Sequence, residues 1–253
     1  MTRRIFLITA GAYMLAACLS AGTPETATEI IRKSDQLLRG KTLQATLTMQ
    51  IITPDWQRSL KFSFVSQGKE KSFIRIEKPA KDRGVSFLRI GNEMWQYIPK
   101  INRVIKIPPS MMLRSWMGSD FTNDDLVKES SIVDDYEHRL LGTETVDGVP
   151  VYRIELTPRP DAVVVWGKII SLIRTQDYIP VEQLFFNERG EQVRRMTFSK
   201  IRRMGDRTIP TRMEVVTRKK PDNKTVLIYE KALFDRPVKS NIFTQQYLRR
   251  ARR

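Results

Sequence analysis

Hydrophobic positions recur along this chain with two periods, that of a helix first and that of a strand afterwards. Thr23-Pro24-Glu25 offers a cap, a proline at the first helical position and an acid in the first turn. Ile30, Ile31, Ser34, Leu37 and Leu38 then share one helical face, and Gly40 supplies a stop. The pattern predicts one amphipathic helix over about residues 24–39. From Leu43 the period is two: Leu43, Ala45, Leu47, Met49 and Ile51 alternate with polar residues. Further short runs follow at Leu60–Val65, Phe73–Ile76, Val85–Ile90, Met94–Ile98 and Val104–Ile107, each bounded by Gly, Pro, Asn or Asp.

Pro108-Pro109 interrupts the alternation. Ser110–Gly118 reads as a short helix capped by Ser110, with Met111, Met112, Trp116 and Met117 as its apolar residues. Thr122–Leu126 reads as a second short helix with acids in its first turn. Strands resume at Tyr136–Glu144, Val151–Leu156 and Val163–Arg174. The runs Pro180–Asn187 with Gln192–Arg203, and Thr208–Arg218 with Thr225–Leu233, form hairpins, the second turning at Pro221-Asp-Asn223. Asn241–Leu248 reads as a short terminal helix. The expected fold class is α+β, mainly antiparallel β. About ten or more antiparallel strands without a linker predict one continuous sheet that curls into a closed or half-closed barrel. The helix and the methionine-rich insert are natural plugs for its openings.

The N-terminus sets the expected compartment. Arg3 and Arg4 precede Ile5–Ala17, an uncharged, mostly apolar stretch too short to span a bilayer of about 30 Å. It ends in Leu15-Ala16-Ala17-Cys18, which looks like a bacterial lipobox. That likeness implies a lipoprotein signal peptide over 1–17, cleavage before Cys18 and acylation of Cys18, leaving one domain over 18–253. Ordinary cleavage after Ser20-Ala21-Gly22, leaving a soluble periplasmic protein, is the alternative. Leu19 is not the aspartate associated with inner-membrane retention, which favours the periplasmic face of the outer membrane.

Composition narrows the chemistry. One cysteine and one histidine (His138) in 253 residues exclude a disulfide framework, a zinc finger and a His-rich metal centre. No G-x-S-x-G and no glycine-rich phosphate loop is present, so no enzyme, metal site or cofactor is expected. Asp120, Asp124 and Asp125 read as helix caps. The basic excess is placed late: residues 189–253 carry 19 Lys and Arg against 6 Asp and Glu, while residues 18–188 carry 23 against 22. With an export signal and no nucleic-acid motif, this favours an anionic membrane surface or an acidic partner over nucleic acid, and a merely solvated face is the bland alternative. The tail residues Arg249, Arg250, Arg252 and Arg253 are the candidate membrane- or partner-binding groups.

Ser86–Pro99 (SFLRIGNEMWQYIP), Val104–Ile107 and Met117–Leu126 (MGSDFTNDDL) resemble the bacterial outer membrane lipoprotein-sorting protein family, relatives of the LolA and LolB proteins of the Lol pathway. Asp177–Pro180, Phe185–Gly190 and Arg207–Thr211 resemble it too, and the likeness covers about residues 25–248. It implies a half-open barrel wrapped on a helix, with short helices lidding an apolar cavity. The implied function is that of a non-enzymatic carrier or acceptor sheltering acyl chains of a lipoprotein or lipid. The alternative is an accessory subunit of an RND-type exporter or envelope assembly machine, acting through protein contacts. The Cys18 motif and the basic C-terminus depart from the soluble-carrier pattern and favour a membrane-tethered acceptor. Methionines repack around an ill-defined apolar ligand. Met94, Trp95, Tyr97, Met111, Met112, Trp116, Met117 and Phe121 are therefore the candidates to line or cover the cavity, with ordinary core packing as the alternative.

Overall fold

A computed structural model of the chain describes residues 25–123, 125, 132–162 and 164–250. Helix α1 (Ala27–Arg39) begins three residues later than the sequence pattern suggests. Its cap is Thr26, whose hydroxyl accepts from the Glu29 backbone N–H while the Glu29 carboxylate accepts from the Thr26 N–H. This reciprocal pair satisfies two end donors at once; Thr23 and Pro24, the cap and first helical position read from the sequence, lie outside the described residues. Gly40 ends the helix at φ +65°, a backbone region that favours glycine.

The strands follow as a meander: β1 (Thr42–Ile52), β2 (Gln57–Gln67), β3 (Lys71–Lys78), β4 (Ser86–Ile90), β5 (Glu93–Ile98) and β6 (Arg103–Lys106). After an insert come β7 (Tyr136–Val146), β8 (Val149–Pro158), β9 (Lys168–Arg174), β10 (Pro180–Phe186), β11 (Gln192–Met204), β12 (Arg207–Thr217) and β13 (Lys220–Phe234). The chain closes with a 3-10 turn at Ser240–Phe243 and helix α2 (Gln245–Leu248). All thirteen strands form one antiparallel sheet in the order β6-β5-β4-β3-β2-β1-β13-β12-β11-β10-β9-β8-β7. The first and last strands pair in its middle, Leu43 opposite Phe234 and Met49 opposite Leu227. Its two edges, β6 and β7, are consecutive in sequence, so the insert of residues 107–135 links the open edges. The sheet is curved but not closed.

Burial follows the alternation. β1 buries every second residue, and these pack with Phe62 of β2, Ile74 of β3, Phe87 of β4 and Val215 of β12 in one inner core. The other face is covered locally. Phe73, Leu88, Trp95 and Tyr97 on the outer face meet Phe243, Tyr247 and Leu248 of the C-terminal segment. Arg75 lies between the Phe73 and Tyr247 rings (4.9 and 5.2 Å) and donates to the Tyr247 carbonyl at 2.9 Å and to Ser86 Oγ at 3.1 Å, fixing that segment to the sheet.

Three local readings are corrected. Residues 110–118 are not a helix: a 3-10 turn at Pro109–Met111 leads into a tight hairpin in which Ser115 pairs with Thr122 and Trp116 N–H donates to the Phe121 carbonyl at 2.7 Å. Met117 and Gly118 take positive φ (54° and 83°), which no helix allows. β9 starts at Lys168 rather than 163, because Gly167 passes so close to Asn187 and Glu188 that a Cβ there would lie 2.8 Å from the Asn187 carbonyl oxygen. The last hairpin turns at Arg218-Lys219, and Pro221-Asp-Asn223 falls in an irregular stretch of β13. Among the described residues no helix is long and apolar enough to cross a membrane.

Candidate functional site

A cavity of about 210 Å³ lies inside the curved sheet, between α1 and the insert. The strand alternation makes its wall. Leu43, Leu47 and Met49 of β1 and Phe62 and Phe64 of β2 face it from one side, Met196 and Phe198 of β11 and Met213 of β12 from the other. α1 closes the end at which β1 begins, where Arg207 Nη1 of β12 donates to the Gln36 carbonyl at 2.6 Å and the Tyr178 hydroxyl to Glu25 at 3.0 Å. The insert closes the opposite end. Arg58, at the start of β2, donates to the Met117 carbonyl at 3.3 Å, and Asp120 exchanges hydrogen bonds with the Thr225 hydroxyl of β13 at 2.9 and 2.7 Å.

Charge enters the cavity as two ion pairs. Asp35 and Arg39 pair along α1 at 2.9 Å. Arg194 of β11, only 3% exposed, donates from Nη1 to both oxygens of Asp125 at 2.8 Å. Its guanidinium also lies 5.0–5.5 Å from the rings of Phe185, Phe121 and Trp166. Removed from water, this cation is held by one carboxylate and three aromatic faces. Asp125 also fixes the local backbone. It accepts from the Thr122 N–H at 2.7 Å and from the Thr122 hydroxyl at 2.9 Å, while its own N–H donates to that hydroxyl. The carboxylate that caps this turn of the insert is therefore also the one that ties the insert to β11. Sequence reasoning read Asp125 as a cap and counted Arg194 only within the basic excess of residues 189–253, and missed their pairing.

The predicted lining residues divide. Trp116 and Phe121 line the cavity, Trp116 set edge-on to Phe62 (5.6 Å) and Phe87 (5.4 Å). The other six lie elsewhere. Met94 is buried in the inner core, and Trp95 and Tyr97 are on the outer face under the C-terminal segment. Met112 and Met117 rest against the core from the insert, and Met111 is exposed. Two neighbours in a strand point to opposite faces, so Met94 and Trp95 cannot both face inward. Arg249 and Arg250 are exposed beyond α2, Arg250 lying 6.0 Å from the Tyr247 ring. Cys18, Arg252, Arg253 and the signal segment lie outside the described residues.

His138 is a strut. It joins α1 to the end of the insert, its Nδ1 3.1 Å from Thr28 Oγ1 and its Nε2 2.7 Å from the Ile132 carbonyl. The ring must donate from Nε2 to that carbonyl, which leaves Nδ1 to accept from the threonine. Burial holds its pKa below the usual histidine value. Asp120 and Asp125 are engaged as described, and among the described residues no group of three His, Cys, Asp or Glu could hold a metal ion.

A family model described as "Uncharacterized protein" matches residues 68–250. No curated protein matches the chain. Among solved structures it is similar to a DUF1329 family protein from Desulfovibrio piger (22% identity, TM-score 0.80, covering 88% of this chain and 97% of that one). It is similar to an outer membrane lipoprotein-sorting protein domain from Vibrio parahaemolyticus (20%, 0.77, 88% and 98%). It is also similar to a LolA superfamily protein from Nitrosomonas europaea (23%, 0.75, 88% and 99%). At these identities the likeness establishes the fold.

Proposed function

The chain belongs to the family whose model matches residues 68–250 and has the LolA-superfamily fold, and from that premise we propose that it is a non-enzymatic carrier or acceptor for acyl chains in the cell envelope. The observation that carries this reading is the mostly apolar cavity, walled chiefly by Met, Phe, Leu and Trp and capped at both ends by α1 and the insert. Each methylene moved from water into such a space contributes about 0.8 kcal/mol, and no catalytic group is needed. The cargo would be an acylated lipoprotein or a free lipid, and acylation of Cys18 would tether the carrier to the outer membrane.

At about 210 Å³ the cavity is smaller than the ~300–1,000 Å³ common for ligand pockets. A long chain must therefore displace side chains. Met49, Met196 and Met213 are the unbranched residues on the wall that can swing aside. The test is native mass spectrometry of the chain from residue 19 onward, so that no covalent acyl group adds mass, purified without detergent, with titration of a fluorescent fatty acid. A lipid-sized mass increment and saturable binding are expected. A bare polypeptide mass together with no fatty-acid binding would refute the proposal.

A further inference from the structure

The two ends of the half-barrel differ in charge. Four turns that neighbour one another at the insert end are residues 218–219, 53–56, 79–85 and 99–102, joining β12 to β13, β1 to β2, β3 to β4 and β5 to β6, with Arg58, Arg103 and Lys220 at the starts of the strands that follow them. These turns hold five Lys and Arg against two Asp, and the three strand-start cations adjoin them; the other two turns of that end, 159–167 and 187–191, hold two against three. Only Arg58 among these cations is in an ion pair with a described residue, Asp82 at 2.8 Å. Lys81, Lys100, Arg103 and the run Arg218-Lys219-Lys220 are exposed and hold none with the described residues. The five turns at the α1 end (68–70, 91–92, 147–148, 175–179 and 205–206) hold one Lys against four carboxylates.

The basic rim also carries apolar tips. Trp56 is 49% exposed and Ile101 56% exposed, on two of the same four turns. The Trp56 turn is pinned: Thr53 N–H donates to the Trp56 carbonyl at 3.0 Å, and Trp56 N–H to the Thr53 hydroxyl at 3.0 Å. A half-exposed indole beside cations that hold no ion pair with the described residues matches a headgroup layer. Its ring is amphipathic, the cations meet anionic headgroups, and each Lys or Arg near such a surface contributes about 1 kcal/mol.

We infer that this rim docks on an anionic lipid bilayer, with Trp56 and Ile101 entering the headgroup layer and the lysines and arginines of the flanking turns contacting lipid phosphates. The insert then faces the membrane, because Met117 is bonded to Arg58 of the same rim. Docking in this orientation would bring the insert end of the cavity to the lipid. The surface acts independently of whether the cavity holds an acyl chain, so a protein found empty by mass spectrometry can still pass the test.

The test is flotation of the chain from residue 19 onward, which carries neither the apolar segment Ile5–Ala17 nor an acyl group, with vesicles of phosphatidylcholine alone or mixed with phosphatidylglycerol. Binding to the anionic vesicles alone, weakened by salt, is expected. Lys219→Gln/Lys220→Gln and Lys100→Gln/Arg103→Gln should each weaken it about tenfold or more. Trp56→Ser should weaken it several-fold, and Lys231→Gln, an exposed change on the outer face of β13, should leave it unchanged. All these sites are exposed, and thermal melting verifies that each variant is folded. Equal binding to neutral and anionic vesicles, or no binding to either, would overturn the inference. So would loss on neutralising Arg249, Arg250, Arg252 and Arg253 while both rim variants bind normally.

Discussion

Replacing Arg194 or Asp125 singly should cost far more than replacing both. Arg194→Met keeps the length of the side chain and much of its contact with Phe121, Trp166 and Phe185, but leaves Asp125 without its counter-charge. Breaking a buried pair from one side costs about 3–5 kcal/mol. The Asp125 side chain keeps 16% of its exposure, so water can take part of the load, and a loss near ~3 kcal/mol is expected. Asp125→Asn keeps an oxygen for the Thr122 N–H, so the cap survives. It strands Arg194, whose side chain is 3% exposed, and the expected loss is at the upper end, near ~5 kcal/mol. The double variant removes both charges and should lose ~1 kcal/mol or less, giving a coupling of several kcal/mol. Urea unfolding followed by far-ultraviolet circular dichroism measures all four proteins, and comparison of slopes verifies that the unfolding surface is unchanged. Additive singles, or two single losses under ~1 kcal/mol, would refute the reading that this pair binds the insert to the wall.

Met213→Trp should fill the cavity at a stability cost of about 1–3 kcal/mol and abolish saturable fatty-acid binding, measured by fluorescence titration; retained binding would place the ligand elsewhere. Arg75→Met should release the C-terminal segment, so that trypsin cuts at Arg249 about tenfold faster while the rest of the fold is kept. His138 has a folded pKa below its unfolded value, so the unfolded chain binds the extra proton first. Stability should fall as pH drops below the ordinary histidine range of about 6.5 and flatten below the folded pKa, and His138→Gln should remove that part of the slope in urea midpoints. Thr26→Ala should cost about 1 kcal/mol by removing the cap of α1, read from the same unfolding curves.

Much of this architecture was legible because the strands write their burial into the chain. Leu43 to Ile51 alternate in sequence and in the structure alike, and the turns at Gly91-Asn92 and Asp147-Gly148 sit where their residues demand. The pairing of β1 with β13 has no local signal, since it joins residues nearly two hundred positions apart. Residues 110–118 misled for a physical reason: methionines, leucine and tryptophan favour a helix, but the Ser115–Thr122 bridge and the bonds of Met117 and Asp120 to the sheet favour a hairpin, and tertiary contacts prevail over propensity. The cavity wall was only partly legible. Aromatic and methionine content drew attention to Trp95 and Tyr97, whereas strand parity places them outside. The same parity carried the missed signal for Arg194, which shares its face of β11 with Met196 and Phe198. A charged residue in step with apolar ones marks a buried cation, and a partner should then be sought among the acids of the insert.

The pairing of the first strand with the last has a consequence for the order of events during biosynthesis. Until residue 234 has left the ribosome, β1 has neighbours on one side only, and the row of backbone donors and acceptors that β13 will cover stays open. A nascent chain of this design cannot complete its central seam early, however fast its hairpins zip. Its central seam stays open until the last strand arrives, and any fragment ending before β13 would carry a sticky, unguarded flank.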